Sequence, residues 1–140
     1  NSNNYVRFNY SSNGGSSYTA KAYVLPSDGS WNVQSDKSLK KDVKAIDEVL
    51  SRVKQLEVLE YHYLDNPKDS PLSIGFFAQD VEPLFPNIVS KENENSKLGI
   101  DYGKFAVISI KAIQEQQDII EELQKKISEL EEKIKNLDRK

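Results

Sequence analysis

The sequence predicts an α+β fold: short β-stalk strands, a small mixed α/β globular part, and a long C-terminal helix that forms a parallel coiled coil. Three observations support this prediction. Residues 1–34 alternate short β-forming runs with turn residues, and residues 35–105 mix helical and strand patterns. Residues 106–140 contain neither glycine nor proline and repeat apolar residues every seven positions. The length of 140 residues suits one domain with an extension.

Charge and composition exclude several classes of protein. The 19 basic and 22 acidic residues nearly balance, which excludes a strongly basic nucleic-acid binder. The absence of cysteine excludes disulfides, thiolate zinc sites and cysteine nucleophiles, and the single histidine, His62, disfavours a histidine-rich metal site or a Ser-His-Asp triad. No apolar run approaches the ~20 residues that span a bilayer. We therefore expect no cofactor, no metal, no nucleic acid and no membrane partner.

The first segment of the chain predicts three short strands, Tyr5–Tyr10, Tyr18–Val24 and Trp31–Val33. Turn sequences at 13–16 and 26–29 separate them, with glycine and proline placed to bend the backbone. Strands this short and polar do not fold alone. We expect the end of a fibre stalk in which strands of several chains share a narrow core. The start, with neither Met nor signal peptide, predicts a piece of a longer chain.

The aromatic side chains of this first segment have two interpretations. They can stack on the sugar rings of a glycan, or they can pack against one another inside the stalk. The sequence favours neither interpretation over the other. These side chains are Tyr5, Tyr10, Tyr18, Tyr23 and Trp31.

The middle segment, 35–105, shows the patterns of both kinds of secondary structure. Apolar residues at helical spacing, from Val43 to Leu56, predict an amphipathic helix over about 40–55. The other predicted elements are shorter: a strand over 57–63, a strand or tight turn over 73–78, a brief helix from 79 that Pro86 must end, and a hairpin of 88–90 with 97–100.

The last segment, 106–140, predicts a coiled coil. Basic residues at position g face acidic residues at the next e position when two helices run parallel and in register, so the charges favour parallel self-association. The polar Gln116, at an earlier d position, would set the register. Isoleucine at a with leucine at d is typical of two strands. The alternative, one surface helix packed on its own domain, is disfavoured by the narrow apolar stripe. The heptad has Ile120, Ile127 and Ile134 at a, Leu123, Leu130 and Leu137 at d, Lys126 and Lys133 at g, and Glu131 and Asp138 at e.

A serine activated by a neutral lysine is one of the few nucleophilic devices that this composition leaves open. Ser35 and Lys40 lie five residues apart, where the β-rich segment meets the mixed segment. An exposed lysine titrates near ~10.4, so the chemistry requires burial or a nearby cation to release its proton. The structural alternative is that Ser35 or Ser38 caps a helix while Lys40 is solvated, and spacing alone favours that alternative.

Other candidate residues carry weaker signals. Asp80 and Glu82 are a potential carboxylate pair, but acidic residues at a helix start usually interact with the helix dipole. His62 lies in an alternating strand, where a structural role is the more common one. Gly14-Gly15 lacks the context of a phosphate-binding loop.

Three ordered motifs resemble those of the S74 peptidase family, the C-terminal intramolecular chaperone domains of phage endosialidases, tail fibres, tailspikes and neck appendages. The first is Ser35-Asp36-x-x-Leu39-Lys40. The second is Ile74-Gly75-Phe76-Phe77-Ala78-Gln79-Asp80-Val81, followed by Phe85-Pro86-x-x-Val89. The third is Ile100-Asp101-Tyr102, which leads into Ala112-Ile113-Gln114-Glu115 and a terminal helix. Order and spacing agree over about residues 31–120, and three ordered motifs are more specific than one.

The resemblance implies a homotrimer that aligns and folds the upstream fibre or appendage segment of the same chain and then releases itself by autoproteolysis. It implies a serine-lysine dyad in which Ser35 is the nucleophile and Lys40 the general base. The cleaved bond would be Gln34–Ser35, in a single reaction of the chain on itself. The implied location is a virion tail or appendage precursor, assembled in the cytoplasm of a bacterial host.

The motifs also suggest supporting residues, and the resemblance divides the chain. Asp36 matches the first motif, and we assign it a positioning role. Gly75 and Gln79 match the second signature, and our own hypothesis is that Gln79 either orients the dyad or donates to the oxyanion. Residues 1–34 would be the end of the stalk, 35–105 the chaperone and autoprotease core, and 106–140 the coiled-coil helix.

Several alternatives stay open at this point. The a and d residues favour a dimer, whereas the family implies a trimer. The retained residues 1–34 fit an uncut precursor, a cut pair that stays together, or a family member without activity. From other classes, the chain fits a non-cleaving trimeric fibre tip that binds a surface glycan or, less well, the same domain in a eukaryotic membrane-tethered transcription factor.

Overall fold

The computed structural model describes residues 6–11, 14–91 and 93–138. The chain divides into two compact units, Asn1–Ala45 and Ile46–Lys140. The fold is α+β, with short antiparallel strands and one long C-terminal helix, as the sequence predicts. None of the described helices is long and apolar enough to cross a membrane. The predicted boundaries at 34/35 and 105/106 concern cleavage and function, and they stay predictions.

The first unit contains a three-stranded antiparallel sheet in the order β1-β2-β3. The strands are β1 (Val6–Tyr10), β2 (Thr19–Val24) and β3 (Trp31–Val33), so the three predicted strands are confirmed over these residues. Tyr5 and Asn13, which the predictions included, lie outside the described residues. Gly14 and Gly15 lie in a turn between β1 and β2, and residues 26–28 form a turn between β2 and β3, where glycine and proline predict turns.

The turns of this sheet need glycine for a physical reason. Gly14 and Gly29 both have positive φ, of 66° and 70°, which L residues with side chains rarely adopt. In the second hairpin the Leu25 carbonyl accepts from the Gly29 amide at 2.9 Å, and the Leu25 amide donates to the Ser30 carbonyl at 2.9 Å. These bonds close the connection between β2 and β3.

One face of the sheet is apolar and largely exposed. Among the side chains of this face whose burial is described, Ala22 is buried, and the Phe8 and Trp31 rings meet edge to face with centroids 4.9 Å apart. Val6 and Val33 extend the same face, and both are more than half exposed. A single copy of the first unit therefore leaves this apolar surface in contact with water.

Over its described residues, the second unit combines three α-helices with two two-stranded antiparallel sheets. β4 pairs with β5, and β6 pairs with β7 in the small hairpin that the sequence predicts. Helix α2 ends at Val81, before the predicted stop at Pro86, and a separate 3-10 turn follows over Pro86–Ile88 with the proline in its first turn. The elements are α1 (Val49–Val53), β4 (Leu59–Tyr61), β5 (Ser73–Gly75), α2 (Ala78–Val81), β6 (Val89–Ser90), β7 (Gly99–Ile100) and α3 (Tyr102–Leu137).

A small hydrophobic core holds the second unit together. Val49 of α1 and Val81 of α2 are fully buried, and Phe85 and Ile88 join them. The first half of α3 forms the other wall of the core through buried side chains, Ile108 and Ala112.

The predicted helix over 40–55 is wrong in its first half. Helix α1 spans only Val49–Val53, and residues 40–48 are not helical. Asp42 and Glu48 both have positive φ, of 54° and 55°, and a left-handed residue interrupts a right-handed helix. A helix that began at residue 40 would also lack packing in its first half, because Val43 is 77% exposed. Burial of apolar side chains would therefore not compensate for the interruption.

Glu115 of α3 caps the short helix α1. Its two carboxylate oxygens accept the Val49 and Leu50 amides at 3.1 Å and 2.7 Å, two donors that lack partners within the helix. The pKa of Glu115 lies below its ordinary value, mainly because the Leu50 amide donates to its carboxylate. The Val49 amide and the charges of Lys111 and Arg52 lower this pKa further.

Helix α3 is longer than predicted, since it begins at Tyr102 rather than at 106. From Ile120 onward its a and d side chains are exposed in a single copy, for example Leu123 at 51% and Ile127 at 55%. The helix is confirmed. Its association into a coiled coil, which would cover this stripe, stays a prediction.

We expect Glu115→Gln to lower the stability of the chain near neutral pH and to matter less in acid. A carboxyl whose pKa is depressed in the folded state contributes stability above its unfolded pKa, which is lost as the pH falls through the folded value. The difference in free energy of unfolding between the two chains should be constant above about pH 5 and shrink below it. Denaturant melts across this range measure it.

The control is Glu129→Gln, the same change at an exposed position of α3. A Glu115→Gln effect that does not diminish in acid, or one no larger than that of Glu129→Gln, would contradict the capping role.

Candidate catalytic site

The candidate catalytic segment follows directly after β3. The Gln34 amide donates to the Lys21 carbonyl at 3.0 Å and prolongs the pairing of β3 with β2 by one residue. Ser35 comes next, and Asp36 then begins a 3-10 turn over Lys37–Leu39. The bond predicted to be cleaved, Gln34–Ser35, therefore joins the end of the sheet to this turn.

The 3-10 turn is closed by backbone and side-chain hydrogen bonds. The Leu39 amide donates to the Asp36 carbonyl and the Lys40 amide to the Lys37 carbonyl, each at 3.1 Å. Asp36 is the N-cap residue, and its Oδ1 accepts the Ser38 amide at 2.8 Å and also the Ser38 hydroxyl. The turn folds the chain back so that residue 40 approaches residue 35.

The structure brings the Ser35 and Lys40 side chains together. Lys40 Nζ lies 2.7 Å from Ser35 Oγ and donates to it. Both residues are exposed in the single chain. The same separation is within the reach that a neutral amine needs to accept the Ser35 proton. The geometry fits the predicted pair, and the catalytic roles stay predictions.

Asp36 lies within the same turn as a charged cap. The Ser38 hydroxyl is the main cause that lowers the pKa of Asp36, followed by the Ser38 amide and, more weakly, the positive charge of Lys40. Ser38 thus holds the Asp36 carboxylate on the turn, and the negative charge of this carboxylate also interacts with the positive charge of Lys40.

Gly75 and Gln79, the other predicted positioning residues, belong to the second unit. Gly75 ends β5, and a Cβ at this position would clash with the Tyr102 hydroxyl. That hydroxyl accepts the Phe76 amide at 3.0 Å. Glycine is needed here because it lets the first turn of α3 approach the end of β5.

A groove of about 620 Å³ brings the second and third motifs together in this unit. Three tyrosines face it, and the Tyr61 and Tyr63 hydroxyls lie 3.3 Å apart. That hydrogen bond is the main cause that raises the pKa of Tyr61 to about 12. The lining residues are Tyr61, His62, Tyr63, Leu64, Phe76, Phe77, Ala78, Gln79, Leu98, Gly99, Ile100 and Tyr102.

Sequence reasoning missed this tyrosine cluster. Tyr61 and Tyr63 alternate in the sequence, and Tyr102 closes the third motif. Those local signals do not show that the fold brings Tyr102 beside Gly75 and Tyr61, which are distant from it in the sequence.

The weaker candidates lie in positions with a structural explanation. His62 Nε2 hydrogen-bonds with the Ser70 carbonyl at 2.8 Å, and Asp80 lies in the first turn of α2. Gly14 and Gly15 lie in a hairpin turn. Across residues 6–11, 14–91 and 93–138, no group of three or more His, Asp or Glu side chains is arranged to hold a metal ion.

Comparison with known proteins gives one finding. Residues 35–90 match the family model of the S74 peptidases, described as chaperone of endosialidase. The predicted resemblance to this family is confirmed over these residues, which begin at Ser35 and contain the first two motifs. The match supports a chaperone role for the chain. No match was found among curated proteins or among solved structures.

We expect Gly75→Ala to destabilise the chain by about 1–3 kcal/mol, the usual cost of forcing an extra methyl group into a filled space. The methyl would displace the Tyr102 hydroxyl, so the Phe76 amide should exchange with solvent faster. Denaturant melts and amide hydrogen exchange measure the two effects.

Gly99→Ala is the matched control. A Cβ at Gly99 would meet Ser90 Oγ at an ordinary 3.6 Å, and little change is expected. Equal costs at Gly75 and Gly99, or an unchanged Phe76 amide, would contradict the close approach of Tyr102.

Proposed function

We propose that this chain is a C-terminal intramolecular chaperone that trimerises, folds an upstream phage fibre or appendage segment, and releases itself by autoproteolysis at Gln34–Ser35. The observation that carries the proposal is the 2.7 Å separation of Lys40 Nζ and Ser35 Oγ, at the point where the family match begins. The location that follows is a virion tail or appendage precursor assembled in the host bacterial cytoplasm.

The proposed reaction has two stages. Neutral Lys40 Nζ takes the hydroxyl proton as Ser35 Oγ attacks the Gln34 carbonyl carbon. The C–N bond then breaks, the proton passes from Lys40 to the Ser35 amine, and an ester joins Gln34 to Ser35 Oγ. Water hydrolyses the ester to a Gln34 carboxylic acid and a free Ser35 hydroxyl. The net change is the addition of one water across one peptide bond, with no cofactor.

The base must lose its proton before it can act. In the single chain Lys40 is exposed, and its Nζ donates to Ser35 Oγ. Burial of a lysine against apolar surface, or the approach of another cation, favours its neutral form. We propose that contacts within the trimer supply this burial, so that cleavage follows correct assembly.

Exposed apolar surface supports self-association. The stripe on α3 continues from Ile113 through Ile120 to Leu137, and these side chains are 39–70% exposed in one copy. Opposite charges at g and e favour parallel helices in register. The proposal takes three chains rather than two because the family is trimeric, although isoleucine at a with leucine at d favours two.

Release would make assembly difficult to reverse. Three aligned C-terminal helices raise the effective concentration of the strands that must pair between chains. After cleavage at Gln34–Ser35 the stalk would keep β1–β3, while the element that assembled it departs. The stability of the remaining fibre would then be kinetic, set by the barrier to unfolding.

Gln79 is proposed to serve the reaction as well, either by orienting the dyad or by donating to the oxyanion. The support for this role is its place in the second motif, within the matched residues. Gly75 would serve indirectly, since it shapes the groove that Gln79 lines.

A second candidate function is a trimeric fibre tip that binds a surface glycan without cleaving. The exposed edge-to-face pair of Phe8 and Trp31 favours it, because aromatic faces stack on sugar rings. The two functions differ in one respect: only the first requires Ser35 and Lys40.

We expect Ser35→Ala and Lys40→Ala each to reduce self-cleavage by at least about a thousandfold, because each removes one partner of the dyad. Intact mass of the denatured chain measures it. The wild-type chain should give two species that sum to the full mass plus one water, the larger holding 140 − 34 = 106 residues.

The matched controls are Ser27→Ala and Lys44→Ala, the same changes at exposed positions of the first unit. They should cleave as the wild type does. A wild-type chain that keeps its full mass of 15.9 kDa under all folding conditions would favour the non-cleaving function.

We expect Ile113→Asp to block association and, with it, cleavage. Ile113 is 62% exposed on the proposed seam of α3, where three aspartates would meet in a trimer. Size-exclusion chromatography with light scattering measures the assembly, and intact mass measures the cleavage. The control Val107→Asp places the same charge off the seam at a residue that is 67% exposed.

A monomeric Ile113→Asp chain that cleaves at the wild-type rate would contradict the coupling of cleavage to assembly.

A further inference from the structure

Ser38 has no role in the reaction described above, yet it makes two hydrogen bonds in the catalytic turn. Its amide donates to Asp36 Oδ1 at 2.8 Å, and its hydroxyl donates to the same oxygen. Ser38 therefore fixes the rotamer of the Asp36 side chain as well as the start of the turn.

Packing contributes little to the stability of the 3-10 turn over Lys37–Leu39. None of the residues Lys37–Leu39 is buried, so no packing fixes their conformation. Lys40 Nζ reaches Ser35 through a flexible four-carbon stem, and only the local hydrogen bonds set the distance between the two residues. The position of the base therefore depends on the cap.

We propose that Ser38 is a positioning residue of the self-cleavage reaction: its hydroxyl holds the Asp36 carboxylate on the turn and thereby leaves Lys40 Nζ directed at Ser35 Oγ. This inference rests on the proposed function. The first motif, as quoted above, leaves position 38 unassigned.

The physical reason is a competition for Lys40. The carboxylate of Asp36 attracts the Lys40 ammonium, and a carboxylate without the Ser38 hydroxyl has more capacity to accept from it. Pairing with Asp36 would draw Nζ away from Ser35 and favour the protonated amine, which cannot act as a base. The positive charges of Lys37 and Lys41, which flank Lys40 in the sequence, have the effect opposite to that of the Asp36 carboxylate: they disfavour a second positive charge on Lys40.

The test follows self-cleavage of the full chain after dilution from denaturant into buffers from about pH 6 to about pH 10. Ser38→Ala should slow cleavage about tenfold near neutral pH, the scale of one lost charge-assisted hydrogen bond. It should also move the rising limb of the pH–rate profile to higher pH. Ser38→Thr, which keeps the hydroxyl, should restore both rate and profile.

Ser30→Ala is the matched control, because the Ser30 amide donates to Asp28 Oδ1 at 2.9 Å and the Ser30 side chain also hydrogen-bonds with Asp28, in the same two-residue spacing away from the dyad. It should cleave as the wild type does. Replacement of Asp36 by asparagine in the Ser38→Ala chain removes the competing charge and should move the profile back toward lower pH.

The outcomes separate the two proposals. If the wild type cleaves and Ser38→Ala matches it in rate and pH profile, the inference on Ser38 is wrong and the proposed function stands. A slower Ser38→Ala chain with an unchanged profile, or one that Ser38→Thr does not restore, assigns Ser38 to folding alone and also overturns the inference. A wild-type chain that never cleaves overturns both.

Discussion

The protein has more apolar surface than one copy can bury, and this constraint governs the structure. Among the described residues few hydrophobic side chains are buried, whereas many large aliphatic and aromatic side chains stay exposed on both units. Burial of apolar surface is the dominant favourable term in folding. In the proposed assembly, neighbouring copies would cover this surface, which is consistent with a chaperone role.

One face of helix α3 packs against the core of the second unit, and another face is exposed to solvent. Ile108 and Ala112 close the core of the second unit, while Ile113 and the heptad residues after it face outward. Glu115 belongs to the same helix, and its carboxylate caps α1. These hydrogen bonds fix the position of α3 relative to the core. A change in how α3 associates would therefore be transmitted to α1 through a direct hydrogen bond.

Structural features that depend on residues close together in the sequence could be predicted, whereas features that depend on contacts between distant residues could not. The strands, the hairpin of β6 and β7 and the long helix follow local patterns, and all were predicted. The helix over 40–55 was wrong because periodicity does not report the positive φ of Asp42 and Glu48, nor a cap supplied by Glu115. The same holds for the site: five residues of spacing suffice to bring Ser35 and Lys40 together, while the contact of Tyr102 with Phe76 requires the tertiary fold.

The hydrogen bond from the Gln34 amide to the Lys21 carbonyl places the proposed cleavage point at the end of an edge strand. Edge strands expose unpaired backbone groups that recruit other chains, and charge near an edge opposes such pairing. Hydrolysis after Gln34 would leave a new carboxylate at that end of β3. In a trimeric stalk, three such charges would surround the fibre tip, so the cut that frees the chaperone would also protect the finished fibre against end-to-end aggregation.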